Sequence, residues 1–402
     1  MSTPRRGPLS TLPREVTVLV GVAFFVALGF GIVAPAIPLF ARQFGVSKAA
    51  ASAVISAFAL ARLGTAPFAG RLVNRYGERL MLATGIGVVA VSSALAGLAG
   101  SYWQLLVLRG VGGVGSILFT VSSASLLIRV TPGPQRGRAQ GVYAGGFLLG
   151  SIAGPVLGAV TAFSLRAPFF VYAGTLVVAG GVGLVALRSS ELGDRPDGQR
   201  ESVLGLPEAL GSRAYRAALA STLAGQWAVV GVRTAIVPLF VVEALHLRPG
   251  WTYTGFFVAS AVSGLLLLPV GRYADTRGRR PVLVAGLVAG GCGLALLAVT
   301  STLAGLLVAM VVLGGSGAAL AVAPGAIVGD VVGGRGGTVV ATYQMAGDVG
   351  AVLGPLAAGW LADGYGYPAA FAVAALVTVL PLGVVMAAPE TVSRQAEEPV
   401  KV

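Results

Sequence analysis

The chain has 402 residues, of which 55% are hydrophobic and only 11% are charged, and its mean hydropathy is +0.86. Because soluble domains carry about 25% charged residues, this composition excludes a water-soluble globular protein. The net charge of +13 comes from short arginine clusters between apolar runs. These clusters do not form a single basic face, which argues against a nucleic-acid partner.

Twelve apolar segments follow one another along the chain, each close to the roughly 20 residues that a membrane-spanning helix needs. The sequence therefore predicts an all-α membrane protein with twelve transmembrane helices. Their predicted limits are residues 16–40, 50–70, 80–100, 102–127, 138–163, 168–187, 214–241, 252–271, 281–300, 303–327, 336–361 and 368–387.

The polar segments divide these spans into domains. The division predicts a tail at 1–14, a six-helix bundle at 15–187, a linker at 188–213, a second six-helix bundle at 214–388 and a tail at 389–402. Most of the 28 Lys and Arg residues fall on the side of the N-terminus, so the positive-inside rule predicts that both tails are cytoplasmic. Since the first apolar run is too long for a cleaved signal peptide, we expect a multi-pass protein of a bacterial cytoplasmic membrane.

The second half repeats the first at a shift of 200 residues. Pro38-Leu39-Phe40 meets Pro238-Leu239-Phe240, and Gly154-Pro155 meets Gly354-Pro355. An even number of spans per half means that both halves enter the membrane in the same direction, which is typical of a parallel repeat. The duplication predicts two pseudo-symmetric six-helix bundles around a central path.

Two short basic loops occupy equivalent places in the halves. GRLVNRYGERLML begins at Gly70 after span two, and GRYADTRGRRPVL begins at Gly271 after span eight. Both resemble the signature loop of the major facilitator superfamily, and the resemblance implies a latch that steadies one conformation of a rocking cycle. Asn74 stands where the family usually has an acid, which predicts a weaker latch in the first half. The predicted latch residues are Gly70, Asn74, Arg75, Gly77, Arg79, Gly271, Asp275, Gly278, Arg279 and Arg280.

Spans four and five extend this resemblance over essentially the whole chain. LLVLRGVGGVGS in span four is similar to the family's arginine and glycine segment, with Arg109 at the arginine position. GVYAGGFLLGSIAGPVLG in span five matches the pattern of drug:proton antiporters, which implies export and a hinge or seal. The predicted hinge or seal residues are Gly150, Gly154, Pro155, Gly158, Gly354 and Pro355.

Ionisable residues inside spans are functional candidates because an unpaired charge in the bilayer costs several kcal/mol. Asp348 is the only acid deep in a predicted span. One hypothesis is a proton carrier, because a carboxyl that alternates between a buried and an arginine-paired environment can take up and release a proton. The alternative is a permanent partner of an arginine or a helix-packing hydrogen bond. For Arg109 the resemblance implies proton transfer, and the alternative is a structural arginine that bonds to carbonyls or to Asp348. Glu243 and Asp330 fall near span ends, where a solvated position is expected.

A second group of polar residues forms stripes at helical spacing, which predicts that they face the bundle interior. Arg233 has Val33 at its place in the first half, so the duplication does not require a charge there, and substrate contact is favoured. Arg62 is either a substrate ligand or a snorkelling or locally paired side chain. Three arginines against one acid within the spans favour an anionic or hydroxyl-rich substrate. The predicted substrate-binding residues are Arg233, Gln226, Gln344, Arg62, Ser116 and Thr120.

Together these features predict a secondary active exporter of a small organic solute or drug that works by proton antiport and alternating access. The first alternative is a proton-coupled symporter or a uniporter for uptake of a small, anionic or hydroxyl-rich solute. The second is a membrane receptor or enzyme that does not transport. The sequence shows no catalytic constellation and no metal-ligand cluster, so we expect no cofactor beyond a proton gradient. The expected partners are a small-molecule substrate, protons and the lipid bilayer, with the chain as a monomer.

Overall fold

A computed structural model describes residues 12–131, 135–160, 163–186, 205–332 and 337–391. Within these residues twelve helical segments are long and apolar enough to cross a membrane, as predicted, and we number them spans one to twelve. Their bounds are Arg14–Arg42, Lys48–Tyr76, Glu78–Gly97, Tyr102–Val130, Arg138–Ala159, Ala167–Ala186, Arg213–Ala244, Gly250–Arg277, Arg279–Val299, Leu303–Val332, Thr338–Gly364 and Gly366–Ala387.

Two equivalent spans are interrupted near their prolines. Span one consists of the helices Arg14–Val33 and Ala36–Arg42, separated by a turn at Pro35. Proline lacks an N–H group and its ring clashes with the preceding turn, so a helix commonly breaks there. Span seven is more irregular, because its α-helix Arg213–Gln226 passes into a π-helical turn at Trp227–Thr234.

The rest of span seven and of span twelve is also divided. After the π-helical turn come a short helix at Val237–Leu239 and a second π-helical turn at Phe240–Ala244. Span twelve consists of the helices Gly366–Val379 and Leu382–Ala387. A short helix at Leu206–Gly211, with Ala209 buried against the second half, lies inside the predicted linker. The packed part of the second half therefore begins earlier than residue 214.

The spans pack as two bundles of six. In the first half span one packs on span five and span three on span four, and in the second half span nine packs on span ten and span seven on span eleven. The halves meet where span two packs on span eleven and span five on span eight. This arrangement confirms the predicted fold, since the same pairs of helices recur in each half as a parallel repeat requires.

The predicted hinge or seal glycines lie where helices approach one another closely. A Cβ atom on Gly154 would lie 2.6 Å from the Leu28 carbonyl oxygen, and one on Gly354 would lie 2.7 Å from the Cα atom of Gly231. A Cβ atom on Gly150 would likewise clash with the carbonyl oxygen of Phe24. Small residues at such positions let helix backbones pack together in a membrane.

The remaining hinge or seal residues are also inside helices. Gly158 contacts the ring of Tyr253 in the other half of the molecule, which places it on the boundary between span five and span eight. Pro155 and Pro355 lie within the continuous helices Arg136–Val160 and Gly337–Gly364. Their action as a hinge during transport stays a prediction.

Gly354→Leu is expected to destabilise the contact between spans seven and eleven. A leucine side chain would have to displace the backbone of Gly231, and overpacking of this kind costs about 1–3 kcal/mol or more. The measurement is thermal unfolding of the purified variant in detergent. Gly174→Leu is the matched control, because a Cβ atom at Gly174 meets nothing within 4 Å. Equal unfolding temperatures for the two variants would contradict this packing argument.

Candidate functional site

The halves are sealed together on one side of the molecule. We call the side where span one begins and span twelve ends the terminal face, and the other side the opposite face. At the opposite face, the Arg42 Nε atom donates to Glu243 Oε1 at 2.7 Å and the Tyr367 hydroxyl donates to Glu243 Oε2 at 2.6 Å. The prediction that Glu243 is a solvated edge residue is wrong, because its carboxylate joins one chain half to the other.

A second set of contacts ties span two to the end of span eleven. The backbone N–H groups of Lys48 and Ala49 donate to the two carboxylate oxygens of Asp363 at 2.9 and 2.8 Å. The Lys48 ammonium group donates to the Ala362 carbonyl at 3.0 Å and lies 4.6 Å from the ring centre of Tyr367. A carboxylate at a helix N-terminus is favourable because it accepts from otherwise unpaired N–H groups. We call Arg42, Lys48, Glu243, Asp363 and Tyr367 the opposite-face seal.

A cavity of about 390 Å³ lies between the halves, on the terminal side of this seal. The structure brings five predicted residues together there, namely Arg62, Gln226, Arg233, Gln344 and Asp348. Five further polar lining residues were missed: Ser151, Thr222, Ser260, Ser263 and Tyr343. The only sequence pattern that could have identified them was helical spacing, such as the four residues from Thr222 to Gln226. That pattern is weak, because single hydroxyl residues are common in packed transmembrane helices.

Asp348 and Arg62 form an ion pair that connects the two halves at the cavity. The Arg62 Nε atom lies 3.3 Å from Asp348 Oδ1, joining span two to span eleven. The Arg62 Nη1 atom donates to Ser116 Oγ at 2.7 Å and lies 3.5 Å from Thr120 Oγ1. Ser116 and Thr120 therefore hold Arg62 from span four, and their predicted contact with substrate stays a prediction. Arg62 is thus paired across the halves and also lines the cavity, so its predicted contact with substrate stays a prediction as well.

Arg109 lies apart from this ion pair. It is only 3% exposed, and its guanidinium carbon lies 4.6 Å above the ring centre of Phe58. In the part of the chain that the structure describes, its Nε atom is buried without a hydrogen-bond partner. Asp348 bonds to Arg62 and not to Arg109. The hypothesis that Arg109 is a structural arginine bonded to Asp348 is therefore wrong. A role for Arg109 in proton transfer stays a prediction.

The two latch loops turn through glycines with positive φ. Gly77 has φ +87° and Gly278 has φ +122°, a region that glycine enters without a Cβ clash. In the second loop, Arg279 contacts Asp275 and lies 3.3 Å from Asp330 Oδ2, all within one half. Asp330 is exposed near the end of span ten, as predicted for a solvated edge position, and it also pairs with Arg279. A latch across the interface of the halves stays a prediction.

The first latch loop carries the same kind of ion pair with the charges exchanged. Arg129 Nη1 donates to Glu78 Oε2 at 2.9 Å, which connects the start of span three to the end of span four. Glu78 stands at the position of Arg279, and Arg129 at the position of Asp330. Each pair of positions is 201 residues apart, the same shift that relates Gly70 to Gly271. The duplication has therefore kept the ion pair while reversing its polarity.

The architecture and the cavity define a polytopic membrane protein built from two homologous bundles. The sequence matches the family profile described as Major Facilitator Superfamily over residues 19–268 and again over 235–400. The chain belongs to the Major Facilitator Superfamily. This is a family of transporters rather than of enzymes, which confirms that part of the prediction and identifies the chain as a multi-pass membrane protein.

Curated relatives and solved structures agree with this membership. The chain is 29% identical over 376 residues to the multidrug resistance protein MdtG of Escherichia coli, covering 89% of this chain and 90% of that one. It is 26% identical over 330 residues to the synaptic vesicular amine transporter of Bos taurus, covering 80% of this chain but only 63% of that protein's length. The fold is similar to the crystal structure of the peptide transporter POT, with a TM-score of 0.75 at 13% identity and 96% of each chain covered.

Proposed function

We propose that this protein is a secondary active transporter of a bacterial cytoplasmic membrane that exports a small organic solute in exchange for protons. The observation that carries this proposal is the ion pair between Asp348 and Arg62, which joins the two halves at the edge of the cavity. An acid inside a membrane span is expensive unless it is paired, so a proton that neutralises Asp348 alters the attraction between the halves.

Alternating access follows from the position of this pair. With Asp348 ionised, its attraction to Arg62 adds to the opposite-face seal and favours the conformation whose cavity lies on the terminal side. Protonation of Asp348 removes that attraction, while Ser116 keeps Arg62 on its own half. The halves are then freer to rock into a conformation that opens the opposite face. A substrate amine and a proton would compete for the same carboxylate, and this competition produces antiport.

Export is the direction that the similarities favour. Span five carries the pattern that resembles drug:proton antiporters, and the relative MdtG is named a multidrug resistance protein. The arginine distribution supports a cytoplasmic terminal face, and the cavity would then take up its solute from the cytoplasm. A volume of about 390 Å³ suits a small organic molecule.

The proposal is tested by transport in proteoliposomes across an imposed pH gradient, with a panel of small organic solutes. Asp348→Asn keeps the size of the side chain but cannot ionise, so we expect gradient-driven transport to fall to the background of protein-free liposomes. Exchange of labelled for unlabelled solute without a gradient should persist only at a higher half-saturating concentration, because the substrate amine loses its carboxylate partner. The control is Glu208→Gln, an exposed carboxylate away from the cavity. Full gradient-driven transport by Asp348→Asn contradicts proton carriage by this residue, and proton flux in the same direction as the solute would indicate symport.

A further inference from the structure

Among the described residues, Arg233 is the one positively charged residue of the cavity that has no acidic partner. The charged lining residues of the cavity are Arg62, Arg233 and Asp348. Arg62 and Asp348 neutralise each other, whereas the Arg233 Nε atom is buried without a hydrogen-bond partner in the described chain. The guanidinium carbon lies 5.5 Å from the ring centre of Phe256. The Arg233 side chain as a whole is half-buried and borders the cavity. A charge inside a membrane span is costly without a partner, so a ligand in the cavity is the natural partner for Arg233.

The fold does not require this charge. Val33 stands at the equivalent place in the first half and is fully buried in an ordinary α-helix. In the second half the helix changes to a π-helical turn at Trp227–Thr234, which includes Arg233. Turns of this kind occur frequently at functional sites. Here the turn lies in a span whose Gln226, seven residues earlier, also lines the cavity.

The surroundings of Arg233 suit an oxyanion with polar substituents. The cavity wall presents the amides of Gln226 and Gln344 and the hydroxyls of Ser260 and Tyr343, all of which can donate hydrogen bonds. A guanidinium group presents N–H donors in a planar fork that matches a carboxylate or phosphonate in a bidentate manner. An anionic group here would therefore neutralise Arg233 and satisfy its buried Nε atom.

We infer that Arg233 binds an anionic group of the transported molecule, so that the substrates are amphoteric compounds carrying an oxyanion together with an amine. This inference rests on the proposed function, in which the amine competes with a proton for Asp348. A purely anionic solute would favour protonation of Asp348 and would bind together with the proton, which leads to symport. A purely cationic solute would meet the uncompensated charge of Arg233. An amphoteric molecule satisfies both Arg233 and Asp348.

The experiment compares acids with their methyl esters. The probes are tyrosine and 4-(aminomethyl)benzoate, each beside its methyl ester, in counterflow exchange by proteoliposomes without a pH gradient. For the wild type we expect a half-saturating concentration roughly tenfold lower for the acids, the size of effect of one charge-assisted bidentate contact. Arg233→Gln should remove this preference, and Arg233→Lys should keep part of it because the charge remains.

Arg216→Gln is the matched control, because Arg216 is an exposed arginine in the same span. Thermal unfolding of each variant separates a binding defect from a folding defect. Three results would each overturn the inference. The esters could exchange as well as the acids or better, neither member of a pair could exchange, or the preference for the acids could survive Arg233→Gln. Counterflow needs no pH gradient, so the two claims can fail separately. If the acids are preferred but transport is not coupled to protons, proton antiport is refuted and the role of Arg233 stands. If transport is coupled to protons but the acids are not preferred, the role of Arg233 is refuted and antiport stands.

Discussion

Glu78→Arg is expected to destabilise the first half by about 3–5 kcal/mol, because it removes the acid from a buried ion pair and places two arginines in contact. The Glu78 side chain is only 8% exposed and its partner Arg129 is 20% exposed, so water screens their interaction weakly. The new arginine would face Arg129 between the start of span three and the end of span four. Thermal unfolding of the purified protein in detergent measures the loss.

The double variant Glu78→Arg with Arg129→Glu is expected to recover most of this stability. The second half already uses the exchanged arrangement, since Arg279 pairs with Asp330 at the equivalent positions. Exchanging the two residues leaves the number of positive charges at the terminal face unchanged, so membrane insertion should not be disturbed. A double variant no more stable than Glu78→Arg alone would show that the ion pair is not what stabilises this site.

The exchanged pair illustrates what the sequence could and could not predict. Hydropathy and the 200-residue repeat predicted the twelve spans and the two bundles, because membrane thickness sets the length of apolar segments and duplication repeats their order. No comparable sequence pattern identifies the partner of a charged side chain. Glu78 and Arg129 lie on different spans, and only the packing of span three against span four brings them within 2.9 Å.

The candidate site shows the same limit. Gln226 and Arg233 lie on one span at a helical spacing, so their common presence at the cavity was predictable. Ser116 also lies on the predicted stripe, but its hydroxyl accepts from Arg62, and that contact depends on how span two crosses span four. The pairing of Arg62 with Asp348 likewise depends on the contact between two halves, which the sequence of neither half specifies.

The opposite-face seal leads to the second large expected effect. The double variant Glu243→Gln with Asp363→Asn should shift the protein towards the conformation that is open at the opposite face. Glu243 accepts from Arg42 and Tyr367, and Asp363 accepts two backbone N–H groups of span two. Hydrogen bonds to charged groups contribute about 1.5–3 kcal/mol each. Weakening even one of them by about 1.4 kcal/mol changes a population ratio roughly tenfold.

The shift can be measured as a distance between spin labels at the opposite face. Gly100→Cys and Ser301→Cys place exposed labels in equivalent loops of the two halves, on a Cys292→Ala background because Cys292 is a free, exposed thiol. We expect a longer distance to gain population in the seal variant and not in the Glu208→Gln control. An unchanged distance distribution would mean that apolar packing of span two on span eleven holds this face closed without the charges. If Asp348→Asn produces the same shift while the seal is intact, the ion pair at the cavity and the seal contribute to one conformational equilibrium, as alternating access by two rocking halves requires.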